Sequence, residues 1–220
     1  MTPERFDKLK AVLRARQPDL TVLTDAVHKP HNVSAILRTC DAVGVRKLHA
    51  VSGDEELRRH HMVAGGSKRW VDIDTHTTIE AGIAALRDDQ FRILVADAGA
   101  GAIDYREVDY TERVAIVLGA ELEGPSAHSL EQADARIEIP MQGMVESLNV
   151  SVAAAVILFE AERQRRAAKL YSQCRINAAD YATTLFEWAY PDIARRCREK
   201  GLAYPPLADD GQLLENPLRA

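Results

Sequence analysis

The sequence predicts an α/β domain built on a mostly parallel β-sheet with helices on both faces. Short runs rich in Ile, Leu and Val, each soon followed by a glycine-bearing loop, alternate with stretches of helix length. That alternation is the signature of parallel strands joined by crossover helices. The 220 residues, 46% apolar and 28% charged, suffice for one sizeable buried core with extensions.

Taken in order, residues 1–20 form a basic helical extension that closes at the turn Gln17-Pro18-Asp19. A first strand is expected over residues 21–27. A helix follows over 33–43, where Val33, Ile36, Leu37, Cys40 and Val43 make an apolar stripe and Ser34, Arg38 and Asp41 share the opposite face. Asn32 stands where an N-cap belongs, and Gly44 ends the helix. Strands are expected over 47–51 and 70–74, with a helix over 78–87. Residues 91–96 (FRILVA), 113–118 (RVAIVL) and 136–140 (RIEIP) carry the clearest strand pattern, with a helix over 126–133 between the last two. Residues 150–159 (VSVAAAVILF) are apolar nearly all round and predict a buried helix, which turns amphipathic and basic through Lys169. The expected layout is an N-terminal extension over 1–20, a central domain over 21–170, and a C-terminal helical extension with a Pro- and Asp-containing tail over 171–220.

Several functional classes are disfavoured at once. No apolar run reaches the roughly 18 residues that span a bilayer, and the start MTPERFDKLK has no signal-peptide core. Cys40, Cys174 and Cys197 are odd in number and far apart, so neither a disulfide framework nor a metal site is expected, and a reducing cytoplasm is the default. Gly99 and Gly101 follow a strand, but Asp104 holds the third glycine position of a dinucleotide fingerprint. His60 and His61 are adjacent and cannot present one helical face to a metal.

The net charge of −5 conceals four basic clusters. They are Arg5, Lys8, Lys10, Arg14 and Arg16; Arg58, Arg59, Lys68 and Arg69; Arg163, Arg165, Arg166 and Lys169; and Arg195, Arg196, Arg198 and Lys200. A solvated helix face explains any one of them; four together point toward a polyanion.

Three segments can carry chemistry. The first is HKPHNVSAILRT, with Asn32 and Arg38. In the second, VLGAELEGPS, a strand runs into a loop bearing Gly119, Glu121 and Gly124, at the strand end where open α/β sheets bind ligands. In the third, IPMQGMVESLNVSVAAA, Ser147 and Asn149 precede a helix whose N-terminus favours an anionic group. Each residue also has a purely structural explanation as a cap or a turn. Ala153, Ala154 and Ala155 allow close packing, against the core or another subunit.

Together and in this order, NVSAILRT, LGAELEG and IPMQGMVESLNVSVAAA resemble the three signature motifs of the SpoU-type (SPOUT) RNA 2′-O-methyltransferases. The flanking RQPDLTVL, REVDYT and FEAERQRRA are similar to the branch of that family that methylates guanosine-18 in the D-loop of tRNA. The resemblance implies an S-adenosylmethionine-dependent enzyme, a deep C-terminal trefoil knot that topological rules alone would exclude, a homodimer, and tRNA as partner. It implies cofactor binding at Ala96, Gly119, Ile139, Met141 and Leu148, mainly through backbone groups, and catalysis by Arg38, Asn32, Glu121, Ser147 and Asn149. RNA binding falls to Arg5, Lys8, Arg14, Arg16, Arg163 and Arg165, and no metal is implied. The family proposal makes Arg38 the activator of the ribose hydroxyl. Arginine is almost never deprotonated in proteins, so orienting phosphate and ribose is the role that fits its chemistry. Methylation of ribosomal RNA, or RNA binding without catalysis, are the alternative readings.

Overall fold

The computed structural model describes residues 1–51, 69–121 and 123–215. Arg58, Arg59, His60, His61, Lys68 and Leu122 lie outside them. The chain divides into two compact units, one of Met1–Arg16 with Tyr171–Ala220 and the other of Gln17–Leu170. The two ends of the chain therefore share a unit, where sequence reading treats them as separate extensions.

The larger unit holds β1 (Leu20–Thr24), α2 (Pro30–Ala42), β2 (Lys47–Val51), β3 (Asp72–His76), α3 (Ile79–Asp88), β4 (Arg92–Ala96), β5 (Ile103–Asp104), β6 (Val114–Leu118), α4 (Ala127–Glu131), β7 (Ala135–Glu138) and α5 (Val150–Ala167). The strands form one seven-stranded sheet in the order β3-β2-β1-β6-β4-β7-β5, parallel at every pairing. Central strands β1 and β6 are buried along their whole length, as expected of a sheet covered on both faces. Alternation of side chains divides the core accordingly. Val22, Leu94, Ile116 and Ile137 pack with α2 and α5, whereas Leu23, Ile93, Val95 and Val117 pack with residues of α3.

Most expected elements stand within two residues of their sequence-derived places, and the departures have local causes. β1 stops at Thr24 because Asp25 leads into Ala26, whose φ of 57° takes the chain out of the strand. The two-residue β5 was not foreseen; so short a strand has no period to read. The helix after Asn149 is longer than its apolar run and is not buried all round: Val150, Ala154, Ile157 and Leu158 are buried, but Val152 and Phe159 remain 47% and 52% exposed.

Arg165 corrects the sequence reading most sharply. Its side chain is fully buried and each of its N–H groups has an acceptor within the larger unit. Nε donates to the Tyr110 carbonyl at 2.8 Å, Nη1 to Gln17 Oε1 and Asp19 Oδ1 at 3.1 and 2.7 Å, and Nη2 to the carbonyls of Asp19 and Glu112 at 3.0 and 2.5 Å. This arginine clamps the start of β1 and the loop before β6 onto α5, so it cannot also bind RNA. Truncation would strip from Asp19, only 8% exposed, the ion pair at 2.7 Å and the hydrogen bond to its carbonyl. Arg165→Met should lower the unfolding free energy in urea by about 3–5 kcal/mol. Weaker RNA binding at unchanged stability would instead restore it to the RNA-facing set.

In the smaller unit α1 (Pro3–Arg14) packs on α6 (Ala178–Ala189), and α6 on α7 (Pro191–Glu199). Phe186 stacks on Tyr204 with centroids 4.6 Å apart. Arg16 also departs from its expected role: it is buried, with its guanidinium 5.4 Å from the Trp188 ring centroid. Arg5, Lys8 and Arg14 are exposed on α1, and Arg163 is exposed on α5 in a bidentate pair with Glu160 at 2.8 Å.

Candidate active site

The C-terminal ends of β4, β6 and β7 open onto a cavity of about 660 Å³. That is within the range of small-molecule sites, and strand ends are where α/β sheets place them. All five residues that the sequence resemblance assigns to S-adenosylmethionine line it: Ala96 ends β4, Gly119 follows β6, and Ile139, Met141 and Leu148 lie on the segment between β7 and α5. Val150, Ala153 and Ile157 of α5 complete the apolar side.

Gly119 permits the loop after β6 to fold tightly. A Cβ there would lie 2.1 Å from Pro125 N and 2.2 Å from the carbonyl carbon of Gly124, so no other residue fits without moving backbone. Ala120 and Gly124 exchange both backbone hydrogen bonds across the turn, at 3.1 and 3.0 Å, and Gly124 has a φ of 70°. Behind the loop the buried Asp25 carboxylate accepts from Ser126 N at 2.8 Å and from Ser129 Oγ at 2.7 Å, fixing the start of α4.

Asn32 is where the three chemistry-bearing segments meet. Its side-chain amide donates to Glu121 Oε1. Its Oδ1 accepts from Asn149 Nδ2 at 3.2 Å. Asn149 in turn caps α5, accepting from Ser151 N at 2.9 Å and Ser151 Oγ at 2.6 Å. The cap expected at Asn149 is present, but the one expected at Asn32 is not. α2 starts three residues earlier than expected because Pro30 suits the first turn, so Lys29 takes the cap position. Asn32 is thereby placed inside the first turn, 1% exposed, with both ends of its amide used by the other segments.

Of the five residues expected to be catalytic, then, Asn32, Glu121 and Asn149 form one hydrogen-bonded chain. Ser147 is exposed and lines the same cavity as Glu121 without joining that chain. Arg38 lies two turns along α2 with its side chain exposed, and its guanidinium has no hydrogen-bond or ion-pair partner among the described residues. It is a cation left available on the polar face of the helix that supplies Asn32. Sequence reading marks Glu123 only as an added negative charge beside Glu121, with no role, and misses the other carboxylates of the cavity. Asp97, Glu123, Glu138 and Glu146 also line it, and the signal that could have found them is their position just beyond, or at the end of, the same strands and motifs.

Comparison with known proteins places this arrangement. The model of the SpoU rRNA methylase family matches residues 19–159, and that of its C-terminal region matches residues 163–216. The chain belongs to the SpoU rRNA methylase family. It is 45% identical over 215 residues to the tRNA (guanosine(18)-2′-O)-methyltransferase of Escherichia coli (strain K12), covering 97% of this chain and 94% of that protein. Among solved structures of the family, the Aquifex aeolicus TrmH/SpoU tRNA-modifying enzyme superposes with a TM-score of 0.76 at 39% identity, covering 86% of this chain and 96% of that one. The AdoMet-bound rRNA methyltransferase from Sinorhizobium meliloti superposes with a TM-score of 0.59 at 28% identity, over 70% of this chain and 59% of that one. The family's fold is the parallel α/β sheet described above.

Proposed function

We propose that this enzyme transfers the methyl group of S-adenosylmethionine to the ribose 2′-hydroxyl of guanosine-18 in the D-loop of tRNA. The observation that carries the reading is the Glu121–Asn32–Asn149 chain. It joins residues from all three family motifs beside a cavity lined by the five residues of the expected cofactor set. The naming of the Escherichia coli relative, which matches almost the whole length of this chain, supports the choice of nucleotide.

S-adenosylmethionine fits the cavity in size and in chemistry. The glycine at the rim lets backbone groups approach, α5 gives an apolar wall, and the lining carboxylates would suit the positive charge of the molecule. It supplies an activated methyl group on a sulfonium. This chain's own residues orient the acceptor. A ribose hydroxyl is a poor nucleophile and must lose its proton during attack. A guanidinium offers only donors, so Arg38 holds the phosphate and ribose in line rather than taking the proton. Asn32 sets the position of Glu121 and Asn149, and Ser147 shapes the wall at the point of transfer. Arg5, Lys8, Arg14 and Arg163 bind RNA phosphates, distributing affinity over many contacts that weaken with salt.

The same reading includes a homodimer. Met144, Val145, Val152 and Phe159 are large apolar side chains left 98, 60, 47 and 52% exposed on the segment before α5 and on α5 itself, apolar surface that a second copy would cover. It also includes the trefoil knot, which rests on membership of the family. Among the described residues no helix is long and apolar enough to cross a membrane, in keeping with a cytoplasmic enzyme acting on tRNA.

The deciding experiment incubates the protein with labelled S-adenosylmethionine and separate pools of transcribed tRNA and rRNA fragments, then maps the methylated nucleotide. Label on the 2′-oxygen of guanosine-18 is the expected result. Label on rRNA alone would overturn the substrate assignment, and no label on either would favour RNA binding without catalysis.

A further inference from the structure

The cavity is lined by five carboxylates, those of Asp97, Glu121, Glu123, Glu138 and Glu146, and by no lysine, arginine or histidine among the described residues. Two of the five are engaged. Glu121 accepts from Asn32, and Asp97 has Arg136 at 3.8 Å and accepts from Gly99 N at 3.2 Å. The carboxylates of Glu138 and Glu146 have no hydrogen-bond or ion-pair partner among the described residues. Glu138 is half-buried at the end of β7, and Glu146 is exposed on the segment leading to α5. A binding cavity with one sign of charge and apolar walls concentrates its field inside.

We propose that Glu138 and Glu146 are specificity-determining residues that make the cavity read the charge of its occupant, holding the cationic methyl donor in preference to the neutral demethylated product. The inference rests on the cofactor reading above. When the ribose oxygen takes the methyl group, the O–CH₃ bond forms and the S–CH₃ bond breaks. The electron pair of that broken bond stays on sulfur, and the hydroxyl proton passes to solvent. The occupant thus loses one positive charge while the carboxylates keep theirs. Attraction that held the donor is withdrawn at the moment of transfer, which favours release of S-adenosylhomocysteine and its replacement by a fresh donor. Neither glutamate touches the acceptor hydroxyl in this scheme, and both act through the field they set across the cavity.

Calorimetric titration of the full-length protein with S-adenosylmethionine and with S-adenosylhomocysteine tests this directly. The quantity to follow is the ratio of the two dissociation constants. The double variant Glu138→Gln, Glu146→Gln should narrow the preference for the cationic ligand by about tenfold at low salt, with the affinity for S-adenosylhomocysteine nearly unchanged. High salt should narrow the wild-type preference in the same direction. Glu138→Asp, which keeps the charge, should retain it, whereas a merely structural role for Glu138 would be disturbed by the shorter side chain. An unchanged ratio in the double variant overturns the inference while leaving the cofactor reading intact. Failure of wild-type protein to bind either ligand overturns both.

Discussion

Gly119→Ala should abolish cofactor binding and lower the unfolding free energy by about 3 kcal/mol or more. The added methyl group has nowhere to go: its carbon would lie 2.1 Å from Pro125 N and 2.2 Å from the Gly124 carbonyl carbon, both main-chain atoms. A side chain could swing aside, but here the turn itself would have to open, breaking the paired hydrogen bonds between Ala120 and Gly124. Opening it also moves Glu121 off Asn32 and unseats Ser126 from Asp25. Thermal denaturation and calorimetric titration with S-adenosylmethionine check the two parts separately. A variant that melts and binds like wild type would show that the loop after β6 has slack that its packing denies.

Asn32→Ala should reduce methyl transfer on the order of 10²-fold while leaving cofactor affinity within a few-fold. Asn32 itself lies outside the cavity lining, so its loss removes no cofactor contact. What it removes is the amide that spans Glu121 and Asn149. Misplacement of a positioning group by about 1 Å is enough for an effect of that size. The two partners left short of a hydrogen bond should also cost about 1–3 kcal/mol of stability. Single-turnover rates with saturating cofactor and tRNA, set beside a binding isotherm, separate the cases. Equal losses in affinity and in rate would mean that Asn32 supports the cofactor wall rather than the reacting groups.

How much of this was legible beforehand depended on whether a residue's role was local. The alternation of strands and helices is written in short-range periodicity, and so is the Asn149 cap, which needs only the residues that follow it. By the same local logic Asn32 reads as a cap, because nothing near it in sequence reveals partners 89 and 117 positions away. Arg16 and Arg165 illustrate the limit for charge. In a basic run every arginine looks alike, and only the folded chain shows that one faces a tryptophan and another satisfies five acceptors. The cavity carboxylates were hidden by distance rather than by type, for they arrive from the ends of three strands and the loop before α5.

The position of β6 in the sheet bears on how the enzyme is made. Leu20 of β1 lies opposite Val114 of β6, so the first strand waits for a partner that leaves the ribosome long after it. Pairings of such large sequence separation form slowly, since the intervening chain must be ordered before they repay its entropy. Asn149 joins later still, when α5 has emerged. A nascent chain stopped before that point would carry the sheet's centre and most of the cofactor wall with its three-motif junction still open. Competence for methyl transfer should therefore arrive as a single late event in synthesis, not in proportion to length.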